Sequence, residues 1–167
     1  MAVGSAGCRP TADQSKTEQS NGIAITASST EVGLSGGDSW YLNVNPAGVA
    51  ELMINSVPVP KTRQFRISQE WLDAFRAAVV QERFFDLDDD YGQIVPDGST
   101  DTLTLTQGDE SKTVRIHFLM NWLGDPSKLR DPCRAVRLFM MLRGWFDDSD
   151  AVDLRKYDQR VLDSIEK

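Results

Sequence analysis

The feature that most constrains the fold is a strict alternation of apolar and polar residues in two neighbouring runs. Residues 102–106 read TLTLT, and after Gly108 the run KTVRIHFLM alternates again, with Val114, Ile116 and Phe118 in phase. Successive side chains of a strand point to opposite faces of a sheet, so each run has one face for a core and one for solvent. The two runs predict a hairpin in an antiparallel sheet.

Further strands are predicted in the N-terminal half of the chain. GIAIT at 22–26 and SWYLNV at 39–44 are short β-rich runs, and the turn sequence NPAG at 45–48 leads into VAELMIN, which makes 39–55 a second hairpin. The prolines of VPVP at 57–60 end that strand because each removes a backbone donor. A brief extended run from Thr62 to Ile67 follows, which brings the expected number to five or six strands.

Two helices are predicted from apolar stripes of helical period. Ser68 suits an N-cap, and Trp71, Phe75 and Val79 follow at a spacing of four through a helix that ends at about Arg83. Asp131 and Pro132 offer a start, and Gly144 a stop, for a second helix over 132–143. Residues 22–146 are therefore expected to form one α+β domain, an antiparallel sheet of five or six short strands with two packed helices.

The two ends of the chain are expected to lie outside this domain. Residues 9–21 carry no aromatic or large aliphatic side chain, so 1–21 is predicted to be a disordered tail or a lipoprotein tether. Residues 147–167 place Leu154, Tyr157, Val161 and Ile165 at helical spacing among seven acids and four bases. This pattern predicts a C-terminal amphipathic surface helix.

Charge limits the classes of partner. The formal net charge is −7 and the isoelectric point about 4.7, whereas nucleic acids and anionic membranes require a cationic surface. No stretch approaches the roughly 18 apolar residues of a membrane-spanning helix. We therefore expect no nucleic acid partner, and membrane contact only through a lipid.

Cys8 is the candidate site for that lipid. The sequence before it ends in small residues, Ala6 and Gly7, and resembles the end of a bacterial lipoprotein signal, in which the cysteine thiol receives a diacylglycerol. The polar linker directly after Cys8 fits such a tether, and the location would then be the bacterial cell envelope. The alternative is an unstructured N-terminus with an isolated cysteine, in a cytoplasmic protein.

The acidic loop, residues 86–101, holds six aspartates and no base. Asp86, Asp88, Asp90 and Asp97 are spaced so that their carboxylates could bind a hard cation such as calcium. A hydrolytic pair of carboxylates, drawn from Glu82, Asp97 and Asp101, is a further alternative. The competing interpretation is a solvated loop that aids solubility.

Other candidate groups are few. His117 is the sole histidine, which excludes zinc sites with several histidines, and we expect it on the less buried face of a strand. Cys133 lies in an apolar helix, where a cysteine usually fills the core. Arg130, Arg134 and Arg137 share one side of the second helix and could bind an anion or partner, whereas the competing interpretation is a solvated stripe or contact with the acidic loop of the same chain. No catalytic residue or cofactor is predicted.

The region from about Trp40 to Met120 resembles a poorly characterised bacterial domain family found in predicted lipoproteins. The residues that carry the resemblance are NPAG at 45–48, FRIS at 65–68, FFDL at 84–87 with Tyr91, and Asp101 before TLTLT. The resemblance implies an envelope location and no known activity. We therefore expect a non-enzymatic, lipid-anchored interaction module, monomeric and with a protein partner, and keep calcium binding or hydrolysis at the acidic loop as the alternative. A third possibility is an inhibitor or chaperone-like protein whose open sheet binds the edge of a partner.

Overall fold

The computed structural model describes residues 22–31, 39–55, 59–96, 98–144 and 162–163. Within these ranges the strands are β1 Ile23–Glu31, β2 Ser39–Val44, β3 Val49–Asn55, β4 Lys61–Arg66, β5 Asp90–Tyr91, β6 Ser99–Gln107 and β7 Glu110–Ile116. The α-helices are α1 Gln69–Gln81, the single turn α2 Pro126–Leu129, and α3 Pro132–Arg143. Short 3₁₀ turns occupy Phe84–Asp86 and Met120–Trp122.

All seven strands belong to one sheet in the order β4-β3-β2-β1-β6-β7-β5. Every neighbouring pair is antiparallel except β5 with β7. The predicted α+β class is confirmed, with one strand more than the largest number expected. The additional strand is β5, whose two residues are too few to produce a recognisable alternation.

One face of the sheet forms the core together with the helices. Residues of alternating phase in β1, β2, β3, β6 and β7 are buried on this face, and Phe75 of α1 and Phe139 of α3 belong to the same apolar cluster. Burial of one such side chain contributes roughly 1.5–3 kcal/mol. The sheet residues of this cluster include Ile23, Ile25, Ala27, Leu42, Val44, Ala50, Leu52, Leu103, Leu105, Val114 and Ile116.

The predicted hairpin turn at 45–48 allows close packing of α1. The Asn45 side chain accepts the backbone N–H groups of Ala47 and Val49, and Gly48 has a φ of 78°. A Cβ at Gly48 would lie 2.9 Å from Leu72 Cδ1 in α1. Both the left-handed backbone and the approach of the helix therefore require glycine here.

The helix predictions hold, with one correction. Ser68 caps α1 by accepting the N–H of Trp71 at 3.2 Å, and α3 has the predicted bounds 132–143. The side chain of Asp131 makes no capping bond to α3, contrary to the prediction. Its carboxylate instead accepts a hydrogen bond from Arg134 at 3.1 Å, because the guanidinium one turn along the helix is the stronger donor.

Most of the predicted terminal segments lie outside the described residues. These include all of 1–21, with Cys8, and 147–167 apart from two residues. Leu162 and Asp163 are helical, and Leu162 is partly buried against the core. None of the helices in the described ranges is long and apolar enough to cross a membrane.

Candidate functional site

The sheet face opposite the helices, hereafter the open face, is rich in hydroxyl groups. Thr104 and Thr113 contact each other across β6 and β7 at 2.9 Å between their Oγ1 atoms, and Thr106 Oγ1 lies 3.0 Å from Ser111 Oγ. The alternation of TLTLT produces this arrangement by sending leucines to the core and threonines to the open face. Cross-strand hydroxyl pairs of this kind stabilise a sheet.

His117 joins two other groups at the β5 end of the open face. Its Nδ1 lies 3.0 Å from Thr100 Oγ1 and its Nε2 lies 3.3 Å from Asp90 Oδ1. With the proton on Nε2, the ring donates to the carboxylate and accepts the threonine hydroxyl. The position of His117 on the polar face agrees with the sequence prediction, but its link to the acidic loop could not be read from the spacing.

The same carboxylate accepts two hydrogen bonds from Arg115. The Arg115 Nη1 atom lies 3.1 Å from Asp90 Oδ1 and 3.0 Å from Oδ2. Hydrogen bonding from this guanidinium, with a smaller contribution from His117, lowers the pKa of Asp90 below its ordinary value. Asp90 is therefore a poor proton acceptor, which disfavours a role as general base.

The other aspartates of the acidic loop diverge. Asp86 pairs with Arg83 at 2.7 Å, Asp89 pairs with Lys112, and the backbone N–H of Asp88 donates to the Tyr91 hydroxyl at 2.8 Å. Asp97 lies outside the described residues. The part of the chain that the structure describes contains no group of three or more acidic, histidine or cysteine side chains placed to hold a metal ion. Calcium binding that includes Asp97 stays a prediction.

Asp101, which the sequence offered as a hydrolytic carboxylate, forms a buried ion pair. Its Oδ2 accepts from Arg143 Nη2 at 2.7 Å, and Arg143 has no solvent-exposed surface. The guanidinium carbon lies 5.7 Å from the centre of the Trp40 ring and 5.4 Å from that of Phe139. Asp101 is therefore a structural residue at one end of the core.

The sequence contains a pattern that indicates this pair, although Asp101 was interpreted as part of the acidic loop. Asp101 shares the phase of Leu103 and Leu105, which points it into the core. Arg143 follows Val136 and Phe139 at helical spacing, on the buried stripe of α3. An acid and a base that each occupy an apolar face predict a buried pair, because an isolated buried charge is costly.

Two of the three predicted arginines bind the end of α1. Arg134 donates from Nε to the Glu82 carbonyl at 2.6 Å and from Nη2 to the Arg83 carbonyl at 3.0 Å. Arg137 pairs with the Glu82 carboxylate at 3.0 Å. Arg130 is exposed. The structure thus brings Arg134 and Arg137 together at Glu82 and leaves the side chain of Arg130 on the surface.

Cys133 and His117 do not meet. Cys133 is buried on the helix side of the sheet, whereas His117 lies on the open face. Burial raises the pKa of the Cys133 thiol to about 12. The thiol is protonated at neutral pH and unsuited to nucleophilic attack.

Strand β4 is the edge of the sheet with the greater exposed length. The Ile67 N–H donates to the Gly48 carbonyl at 2.8 Å. In the register of β3 with β4, this bond shows that Lys61, Arg63 and Phe65 direct their backbone N–H and C=O groups toward β3. Since backbone groups alternate in direction along a strand, Thr62, Gln64 and Arg66 direct their N–H and C=O groups away from β3. At the opposite edge, β5 has only two residues.

No protein-family model matches the chain, and no curated protein shows significant similarity to it.

Proposed function

We propose that this chain is a non-enzymatic interaction module, held at the bacterial envelope by a lipid on Cys8, that contacts its protein partner through the β4 edge. The observation that carries the proposal is the row of outward backbone groups at Thr62, Gln64 and Arg66. Such a row is a template for an added strand. A fixed seven-stranded sheet presents it in extended form, which lowers the ordering cost of binding.

The chemistry of the ionisable groups supports a binding role. Asp90 is bonded by Arg115, Asp101 by Arg143, and the Cys133 thiol has a pKa of about 12. Groups committed to internal partners stabilise the fold and are unsuited to proton transfer or nucleophilic attack. In the described part of the chain, the extended backbone of the β4 edge is therefore the feature best suited to binding another molecule.

The N-terminal sequence supports the envelope location. Residues 9–21 separate Cys8 from the first strand with thirteen polar or small residues. Thirteen residues of random-coil polypeptide have a root-mean-square end-to-end distance of about 20 Å. A lipid on Cys8 would therefore keep the domain near the membrane while leaving the β4 edge accessible to a partner.

The proposal is tested by capture of partners from envelope extract with two substitutions at one position. Gln64→Pro removes the outward N–H, whereas Gln64→Ala keeps the backbone donor and removes only the side chain. We expect the wild type and Gln64→Ala to retain the same partner and Gln64→Pro to lose it, with all three proteins folded by circular dichroism. Equal capture by a folded Gln64→Pro variant would contradict the proposal.

Hydrolysis at the acidic loop is the second candidate function. The contacts of His117 with Thr100 on one side and Asp90 on the other favour it, because this order of hydroxyl, imidazole and carboxylate is that of a catalytic triad. The bonds from Arg115 to Asp90 weigh against it. Incubation with a fluorophosphonate followed by peptide mass mapping separates the two functions. An adduct on Thr100 would show that this residue is a nucleophile. An unmodified Thr100 would reject hydrolysis by this triad and retain the interaction module.

A further inference from the structure

We propose that one internal water molecule bridges Ser29 and Asp101 and completes the hydrogen bonding of the buried Asp101–Arg143 pair. Ser29 and Asp101 are directly opposite each other in the ladder of β1 with β6, and the two residues are 1% and 7% exposed. Both lie on the helix side of the sheet, in the phase of the buried Ala27 and Leu103. The water site is inside the domain and is independent of binding at the β4 edge.

The two facing residues each have a buried polar atom that the protein does not bond. Asp101 Oδ2 accepts from Arg143 Nη2 at 2.7 Å, whereas Asp101 Oδ1 and Ser29 Oγ have no hydrogen-bond partner among the described residues. Burial of a polar atom without a replacement for its bonds to water is costly, and most such atoms in folded proteins are bonded. Two of them on directly opposite residues therefore indicate a shared ligand.

The charge balance around the two atoms favours a neutral ligand. The Asp101 carboxylate is already paired with the Arg143 guanidinium, so a second cation would add an uncompensated buried charge, and an anion would meet the carboxylate. In the sheet, the pair is flanked by Trp40, opposite Ser29, and by Ile116, opposite Asp101. A water molecule is neutral and can both donate and accept a hydrogen bond.

A bridging water also fits the register of the two residues. Residues directly opposite in an antiparallel pair have Cβ atoms about 4.5–5.5 Å apart, and no direct bond joins Ser29 Oγ to Asp101 Oδ1. A water between them donates one hydrogen to Asp101 Oδ1 and makes its second bond with Ser29 Oγ, which either donates or accepts. Two polar partners lie at the lower end of the range for internal waters. The water connects β1 to β6 and leaves the Asp101 carboxylate bonded at both oxygens.

The test counts long-lived water molecules in the full chain by oxygen-17 magnetic relaxation dispersion of the solvent. The amplitude of the dispersion is proportional to the number of water molecules that stay in the protein for longer than its rotational tumbling time. We expect Ser29→Val to lower this amplitude by the equivalent of one water molecule. Valine removes the hydroxyl and places a methyl group where the water lies. An amide correlation spectrum shows whether the variant is folded.

Ser28→Val is the matched control. Ser28 is the neighbouring residue of β1, lies on the open face and is partly buried. The same change of side chain there should leave the dispersion amplitude unchanged. Equal losses in the two variants would overturn the assignment of the water to Ser29 and Asp101.

A measurement on the wild type keeps the proposal testable if Ser29→Val does not fold. Nuclear Overhauser spectra of the ¹³C-labelled chain should show a cross-peak between water and the Cβ protons of Asp101. Absence of that cross-peak, or an unchanged dispersion amplitude in folded Ser29→Val, would overturn the proposal and assign a direct bond from the Ser29 hydroxyl to Asp101. Neither result bears on capture of a partner through the β4 edge.

Discussion

Single charged residues in this domain have roles that depend on a neighbour distant in sequence. Asp101 and Arg143 are forty-two positions apart and form one buried pair, and Asp90 and Arg115 are twenty-five apart and meet across two strands. From the sequence, Asp90 and Asp101 belonged to one acidic loop. The structure separates them, since Asp90 lies on the open face and Asp101 in the core.

The buried pair should respond asymmetrically to substitution. Asp101→Leu leaves the Arg143 guanidinium buried without its carboxylate, so we expect a loss of about 3–5 kcal/mol in the free energy of unfolding. The double variant Asp101→Leu with Arg143→Met removes both charges and should be more stable than Asp101→Leu alone. Urea unfolding of Asp101→Leu, of Arg143→Met and of the double variant measures the coupling free energy between the two side chains. Additive losses would show that the two side chains do not interact.

The buried thiol should be inert in the folded protein. Because the pKa of Cys133 is raised to about 12, the thiolate fraction at pH 8 is negligible and solvent access is closed. In a Cys8→Ser background, a thiol-reactive chromophore should label Cys133 only after denaturant is added. Rapid labelling of the native protein would contradict this burial.

Elements with a strong periodic pattern were predictable, and elements defined by long-range contact were not. The alternation of TLTLT predicted a strand that lies inside Ser99–Gln107, and the apolar stripe of Phe75 and Val79 predicted a helix close to Gln69–Gln81. Strand β5 exists because Asp90 and Tyr91 pair with β7, and two residues carry no period of their own. The end of α1 is also set from a distance, by Arg134 of α3.

The bonds from Arg134 to α1 should contribute to stability. Arg83 adopts a left-handed backbone with a φ of 49°, which a non-glycine residue adopts at some cost, and Arg134 binds its carbonyl. We expect Arg134→Ala to destabilise the fold by about 1–3 kcal/mol, because the carbonyls of Glu82 and Arg83 lose a charged donor. Arg130→Ala, which removes an exposed cation at the C-terminal end of α2, should change stability by less than about 0.5 kcal/mol. Equal effects in thermal unfolding would refute the assignment of Arg134 as an anchor.

At the scale of the whole molecule, strand order determines which surface is open to a partner. The sequence predicted the extended run 62–67, and nothing local to it showed that this run would be last in the sheet. Edge position follows from how all seven strands pair, so the candidate site could be found only from the topology.

The most direct test of the interaction module is residue-resolved amide hydrogen exchange of the ¹⁵N-labelled chain, with and without the partner that it captures from envelope extract. Pairing at the edge predicts slower exchange at Thr62, Gln64 and Arg66, whose N–H groups point away from β3. Exchange at Arg63 and Phe65, whose N–H groups point toward β3, should change much less. Protection located elsewhere, or spread equally over all residues of β4, would contradict binding by strand addition.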